Sequence, residues 1–339
     1  MTEHNTDKMV DIISDEVQFY IDVYLTSVFC TLVGCFGMVA SVINFCVLTQ
    51  QGVRDCMSLC LLSLTFSDFF VGAFMFAISL CYSFHLLHQD FYIDPLAVNS
   101  ILSWAWGLLF DISMLTTAFI SVERCLSVLY PFKFKDMATF KRSFFVLFLI
   151  YSVTVCGYLA LFLTQGLSEQ TDPGTNSTKI KLWVSSDRAM VETYTNISVH
   201  VVYGTFCEIT VTASTYGMII GLRRSDEFRS KSANSDSSSV DVFSKRNKKI
   251  VKMVTVLAAI FVVCNVARLS LNYARLALPE LMLAKQMHNS FNTFLRVMFL
   301  CDTIGASSNI FVYYIYKPSF KRILLSIFCR VEFGKSLKE

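Results

Sequence analysis

Seven stretches of the chain, each longer than twenty residues, carry at most a few charges: Ile21 to Gln50, Met57 to Phe84, Leu96 to Leu129, Phe144 to Leu167, Thr195 to Leu222, Met253 to Leu278 and Phe291 to Tyr316. The hydrocarbon core of a bilayer is about 30 Å thick and takes roughly 20 mostly apolar residues per helix. A buried helix in a soluble core imitates one or two such stretches, but not seven in series. Only 16% of the 339 residues are charged, against about 25% in a soluble domain, so the surface is not that of a soluble protein. The expected fold is an all-α membrane protein, a seven-transmembrane-helix bundle over 21–316, followed by a short amphipathic cytoplasmic helix and tail over 317–339. The net charge of +3 is too small to argue for a nucleic-acid partner.

Orientation follows from where lysine and arginine sit between the spans. The first loop has Arg54, the second has none, and the third has Lys133, Lys135, Lys141 and Arg142. The fourth has Lys179, Lys181 and Arg188, whereas the fifth has nine between Arg223 and Lys252 and the tail has six. Odd loops and tail are therefore expected in the cytoplasm, with residues 1–20 outside, in a multi-pass protein of the plasma membrane. Met1 to Gln18 is polar and acidic, with no positive region ahead of an apolar one, so no cleaved signal peptide is expected. Two sequons, at Asn176 and Asn196, fall in or beside the fourth loop and are candidate glycosylation sites. None of the twelve cysteines lies in an outside loop, and Cys329 beyond the last span is a candidate for palmitoylation. The serine-rich segment Ser225 to Ser244 reads as a mobile cytoplasmic loop, over 225–249 with its basic flank, and as a candidate kinase target.

Ionisable residues at membrane depth are costly and usually face the bundle interior. Here they are Asp68, Asp111, Glu123, Arg124, Glu208, Arg268 and Asp302, while Asp22 and Arg296 sit nearer the outer ends and are expected to reach water. Asn265, Arg268, Asn272 and Arg275 follow one another at spacings of three, four and three, which puts them on one helix face. That stripe implies either a wet cavity or a set of helix-to-helix hydrogen bonds with Arg275 reaching the interface. A buried Arg268 needs a partner, and Asp302, Asp111 and Glu208 all qualify. Its fork of donors also suits a ligand carboxylate.

"SVERCLSVLYPF" is similar to the acid-arginine-tyrosine motif and loop proline of the rhodopsin-like (class A) G-protein-coupled receptors, with Glu123, Arg124, Cys125 and Pro131 in those places. The resemblance spans nearly the whole chain: Asn44 in the first helix, Asp68 in "LSLTFSD", Tyr216 in the fifth, Phe261 and Cys264 in the sixth, Asn309 and Tyr313 in "NIFVY", and Phe320 in "KPSFKR". It implies a receptor, not an enzyme, whose switch residues are Glu123, Arg124, Tyr216, Phe261, Asn309 and Tyr313. Its G-protein face would include Arg124, Phe132 and Lys248. Implied partners are an extracellular small-molecule or peptide ligand, a heterotrimeric G protein, arrestin and a receptor kinase. Asp68, Ser113 and Asn309 match positions that hold a sodium ion in many members, and no other cofactor is implied; Gly305 replaces a residue there that is often polar.

The departures narrow the reading. Cys264-Asn265-Val266-Ala267 stands for the sixth helix's Cys-Trp-x-Pro, Ile310 for the seventh helix's proline, Glu208 for the fifth's, and Asn99 for the disulfide cysteine of the third. Trp106, eighteen residues before Arg124, replaces the amine receptors' aspartate, and Thr303 replaces the opsins' lysine. The chain most resembles invertebrate chemosensory receptors of the molluscan type. The expected ligand pocket is lined by Trp106, Asp111, Glu208, Arg268, Asn272 and Asp302. A neuropeptide receptor of the same fold is the alternative, and a transporter or scramblase is the rival from another class. Zinc on His85, His88 and His200 is a minor reading, since all five histidines are placed outside or near the outer surface.

Overall fold

A computed structural model of the chain describes residues 11–53, 55–87, 91–130, 139–171, 178–231, 238–278, 280–281 and 285–336, with the backbone alone at 225–231, 238–248 and 328–336. Helix α1 runs over Asp15–Gln51, α2 over Cys56–Leu86, α3 over Pro95–Leu129 and α4 over Phe140–Leu163. A two-stranded antiparallel hairpin follows, β1 (Gln165–Thr171) and β2 (Thr178–Val184). Helix α5 is built from Arg188–Thr195, Asn196–Tyr203 and Gly204–Lys231 in unbroken succession. The remaining helices are α6 (Ser238–Ala277), α7 (His288–Ser307 and Asn309–Tyr316) and α8 (Pro318–Ser336).

Six of these helices are long and apolar enough to cross a membrane. The fifth expected span, Thr195 to Leu222, is not among the six: Thr205, Glu208, Thr210, Thr212, Ser214 and Thr215 dilute it. α3 is the axis of the bundle, packed on α2, α4, α5 and α6, while α7 closes the ring against α1 and α6. α1 and α2 approach closely, since a side-chain carbon on Gly34 would sit 2.8 Å from the Phe76 amide nitrogen, and one on Gly72 2.8 Å from that of Met38.

Helix starts are set locally. Ser14 Oγ accepts the Val17 amide at the head of α1, and Asp94 Oδ1 accepts the Leu96 amide at 2.9 Å, with Pro95 in the first turn of α3. α7 has no cap of its own at Met287. Asp11 supplies one from 278 residues away, accepting the Asn289 amide at 2.7 Å and the Ser290 amide at 3.2 Å and hydroxyl at 2.5 Å. Asp15 and Gln18 extend this clasp to Asn289 and Thr293.

The core has two main parts. Trp106, Phe110, Met114, Cys207, Leu271 and Phe299 fill the half of the bundle nearer the hairpin, and Leu61, Ile120, Met218, Val254, Tyr313 and Phe320 fill the half nearer α8. Phe144, Phe145 and Phe148 stay exposed on α4, an outward face suited to lipid.

Several expectations are corrected. The fourth helix ends at Leu163, four residues short of Leu167, because residues from Gln165 pair into the hairpin. Helical backbone also reaches far into the segment read as a mobile loop, to Lys231 from one side and from Ser238 on the other. Three helices also carry backbone irregularities. Asp22–Cys30 in α1 and Asn196–Tyr203 in α5 are π-helical, and α7 is interrupted at Ser308, whose hydroxyl donates to the Gly305 carbonyl at 2.7 Å.

Candidate functional site

In the hairpin half, α6 presents its stripe inward, as the spacing requires. Asn265, Arg268 and Asn272 are all buried. Arg268 bridges α7 and α3: Nε donates to Asp302 Oδ2 at 3.0 Å, Nη2 lies 3.0 Å from the same oxygen, and Nη1 donates to Asp111 Oδ1 at 3.3 Å. Its guanidinium lies 4.0 Å from the Phe110 ring centre and 5.3 Å from that of Trp106. Of the three partners left open, the structure brings Asp302 and Asp111 to Arg268. Glu208 instead accepts from Asn265 Nδ2 at 2.9 Å. Arg268 is thus already held by two carboxylates, so a ligand anion would have to displace one of them.

Two members of this network were not recognised in the sequence. Tyr158 on α4 donates to Asp111 Oδ2 at 2.6 Å, and His200 Nδ1 stands 3.6 Å from the same oxygen. His200 is half-buried beside the Trp104 and Tyr158 rings, in the π-helical segment of α5. The available signal was a tyrosine, the second of two after Tyr151, in the apolar second half of α4. Trp106 Nε1 and Asn272 Nδ2 are buried without a protein partner.

Asp22 and Arg296 do not reach water. They lie 3.5 Å apart and buried, with the Tyr82 hydroxyl donating to Asp22 Oδ2 at 2.7 Å and Arg296 4.2 Å over the Tyr82 ring. Charge pairing across α1, α2 and α7 outweighs the short path to solvent. Arg275 does not reach outward either, but donates to Asn196 Oδ1 at 3.0 Å and Glu192 Oε1 at 3.4 Å.

Below the network lies a cavity of about 50 Å³ between α2, α3, α6 and α7, with room for on the order of three waters. Asp68 lines it and accepts from Ser113 Oγ at 2.7 Å and Asn309 Nδ2 at 2.6 Å. These oxygen-bearing groups fit a hard cation. Gly305 lines the same cavity without contributing a ligand atom.

At the α8 end of α3, Arg124 Nη2 donates to Glu123 Oε1 at 3.3 Å, and Cys60 Sγ reaches Glu123 Oε2 at 3.7 Å. Glu123 is buried and Arg124 half-buried. Tyr313 is buried against Phe320, and Phe261 packs on the hairpin-side core. Tyr216 is not brought to Arg124: it is 67% exposed, because Ser214 and Met218 take the inward positions of α5. Phe132 lies outside the described residues, as do the side chains of Lys248 and Cys329.

Asn196 is 4% exposed and engaged by Arg275, which does not fit the expectation that it carries a sugar; Asn176, like His88, lies outside the described residues. Among the described residues no cysteine forms a disulfide, and no group of three or more His, Cys, Asp and Glu is placed to hold a metal ion. The family described as 7 transmembrane receptor (rhodopsin family) matches residues 39–304. No curated protein matches the chain.

Proposed function

The chain belongs to the rhodopsin family of seven-transmembrane receptors, and on that premise we propose that it converts binding of an extracellular small molecule, a chemosensory cue, into activation of a heterotrimeric G protein at the plasma membrane. The observation that carries this reading is the Glu123–Arg124 pair at the foot of α3, 3.3 Å apart, with the acid buried and the arginine half-buried. An ion pair so placed holds Arg124 until the helices around it part.

The ligand site we assign comprises Trp106, Asp111, Glu208, Arg268, Asn272 and Asp302. Arg268 on α6 ties α3 and α7 together there. A ligand that binds one arrangement of this tie better than the other shifts the population of the whole bundle, and only that difference in affinity can do so. The path toward α8 passes through Asp68 and Asn309, one hydrogen bond apart, to Tyr313. With Trp106 at the position of the amine-binding aspartate and Thr303 at that of the retinal-binding lysine, neither a biogenic amine nor retinal suits the pocket.

The test is Arg124→Ala in cells that display the receptor at the parent's surface level. Screening waterborne small molecules and peptides with a second-messenger readout identifies an agonist for the parent, and the variant is expected to give no response to it. A full response from the variant would overturn the signalling reading. An agonist of peptide type would replace the chemosensory assignment while leaving the receptor in place.

A further inference from the structure

Two arginines in the hairpin half share one acid. Glu192, in the first segment of α5, has Oε1 3.4 Å from Arg275 Nη2 on α6 and Oε2 3.9 Å from Arg188 Nε. Among the described residues no other carboxylate pairs with either arginine, so the cluster carries surplus positive charge. Each arginine side chain is only 10% exposed, whereas that of Glu192 is 36% exposed. A buried guanidinium short of acceptors is costly, and here the shortage has a definite place. On Arg275, Nη1 donates to Asn196 Oδ1 at 3.0 Å and Nη2 to Glu192 Oε1 at 3.4 Å, but Nε is buried with no hydrogen-bond partner in the protein. Nε and Nη2 form one edge of the guanidinium, which a carboxylate can take with two parallel hydrogen bonds. Glu192 fills half of it. On Arg188, Nη1 is spent on the Leu161 carbonyl at 2.6 Å, and Nε meets Glu192 only at the long 3.9 Å. The tier below differs, because Arg268, two turns away on α6, is already matched by Asp302 and Asp111.

We infer that Arg275 and Arg188 form a subsite for the carboxylate of a small organic acid, with Glu192 as the built-in acid that such a ligand displaces. The ligand carboxylate takes the Nε–Nη2 edge of Arg275 with both oxygens, and Glu192 turns toward the solvent to which it is already partly exposed. The rings of Phe291 and Trp104, 5.5 Å and 4.9 Å from the two guanidinium carbons, offer apolar surface to the rest of the molecule. None of the six residues assigned to the ligand site above takes part. On the receptor reading, on which this last step rests, the extracellular cue is an organic acid, and its binding exchanges an α5–α6 ion pair for a contact with the ligand.

The experiment follows thermal unfolding of the purified full-length protein in nanodiscs while sodium benzoate replaces sodium chloride at constant ionic strength, with neutral benzamide as the matched probe. We expect benzoate to raise the midpoint of the parent and benzamide to leave it unchanged. Arg275→Gln is expected to abolish the rise, and Arg275→Lys, which keeps the charge but loses the fork, to demand more benzoate for half of it. Glu192→Gln removes the competitor and is expected to lower the half-saturating benzoate concentration roughly threefold, the worth of a half-exposed ion pair. That reading stands even where Arg275→Gln does not fold. No benzoate effect in the parent, equal effects of benzoate and benzamide, a rise retained in Arg275→Gln, or a half-saturating concentration unchanged or raised in Glu192→Gln would overturn the inference. None of these readings depends on signalling, so the receptor assignment stands or falls separately with Arg124→Ala.

Discussion

The two buried polar regions of this bundle solve the same problem by different means. Around Arg268, charge meets charge: a guanidinium between two carboxylates, clamped by the rings of Phe110 and Trp106 and backed by Tyr158. Around Asp68, a single carboxylate meets neutral donors, Ser113 and Asn309, beside open space. The first arrangement ties three helices, α3, α6 and α7, and tolerates little change in any member. The second leaves room for solvent or an ion and tolerates more. The hairpin-side region is thus the more heavily tied of the two.

The largest expected effect breaks the first region. Arg268→Met leaves Asp111 and Asp302 buried without their cation and is expected to cost about 3–5 kcal/mol, read as a lowered unfolding midpoint and reduced surface display. Replacing all three together, with Asp111→Leu and Asp302→Leu added, should recover much of the loss, since apolar packing often matches a buried ion pair. A single variant as stable as the parent would remove the contrast between the regions. Tyr158→Phe is next. It strips the 2.6 Å hydrogen bond from Asp111 and should cost about 1–3 kcal/mol, measured the same way.

Asp11 serves as a control, because it precedes the first span and clasps only the first turn of α7. Asp11→Ala should cost about 0.5–2 kcal/mol, as the loss of a helix cap does. Partial burial pushes the Asp11 carboxyl up, but hydrogen bonds from Ser290 and from the Asn289, Ile13 and Ser290 backbone outweigh it and hold the group below its ordinary value of 3.8. A carboxyl depressed in the folded state stabilises above its unfolded value and loses that contribution as pH falls through the folded one. The parent should therefore lose this increment below about pH 4, and Asp11→Ala should show no such loss. The smallest effect belongs to the second region: Asp68→Asn preserves shape and neutral partners and should cost about 0.5–1.5 kcal/mol. A cost equal to that of Arg268→Met would show both regions to be equally rigid.

Much of this was legible in the chain. The spans, the inward stripe of α6 and the position of Glu123–Arg124 follow from hydropathy, helical period and one motif, all local properties. The choice among partners for Arg268 was not legible, since it depends on how α3 and α7 are rotated, which no single helix encodes. For the same reason the sequence does not place Tyr158 or His200 beside Asp111, and Asp22 and Arg296, each looking close to water, turn out to find each other. The hairpin was missed because "QGLSEQT" and "TKIKLWV" carry no alternation strong enough to announce strands. Tyr216 shows the converse: a residue in the expected place in the sequence whose side chain the helix turns toward lipid.

The π-helical turns of α1 and α5 have a consequence for how this chain varies. Each turn stores slack of about one residue, so the helical pieces on either side keep independent facings. In α5 the piece carrying Glu208 is thereby turned in phase relative to the piece carrying Glu192 and Arg188. Insertions and deletions beside the hairpin can be absorbed at residues 196–203 without re-aiming anything deeper, which leaves the rim free to diversify while the interior stays put.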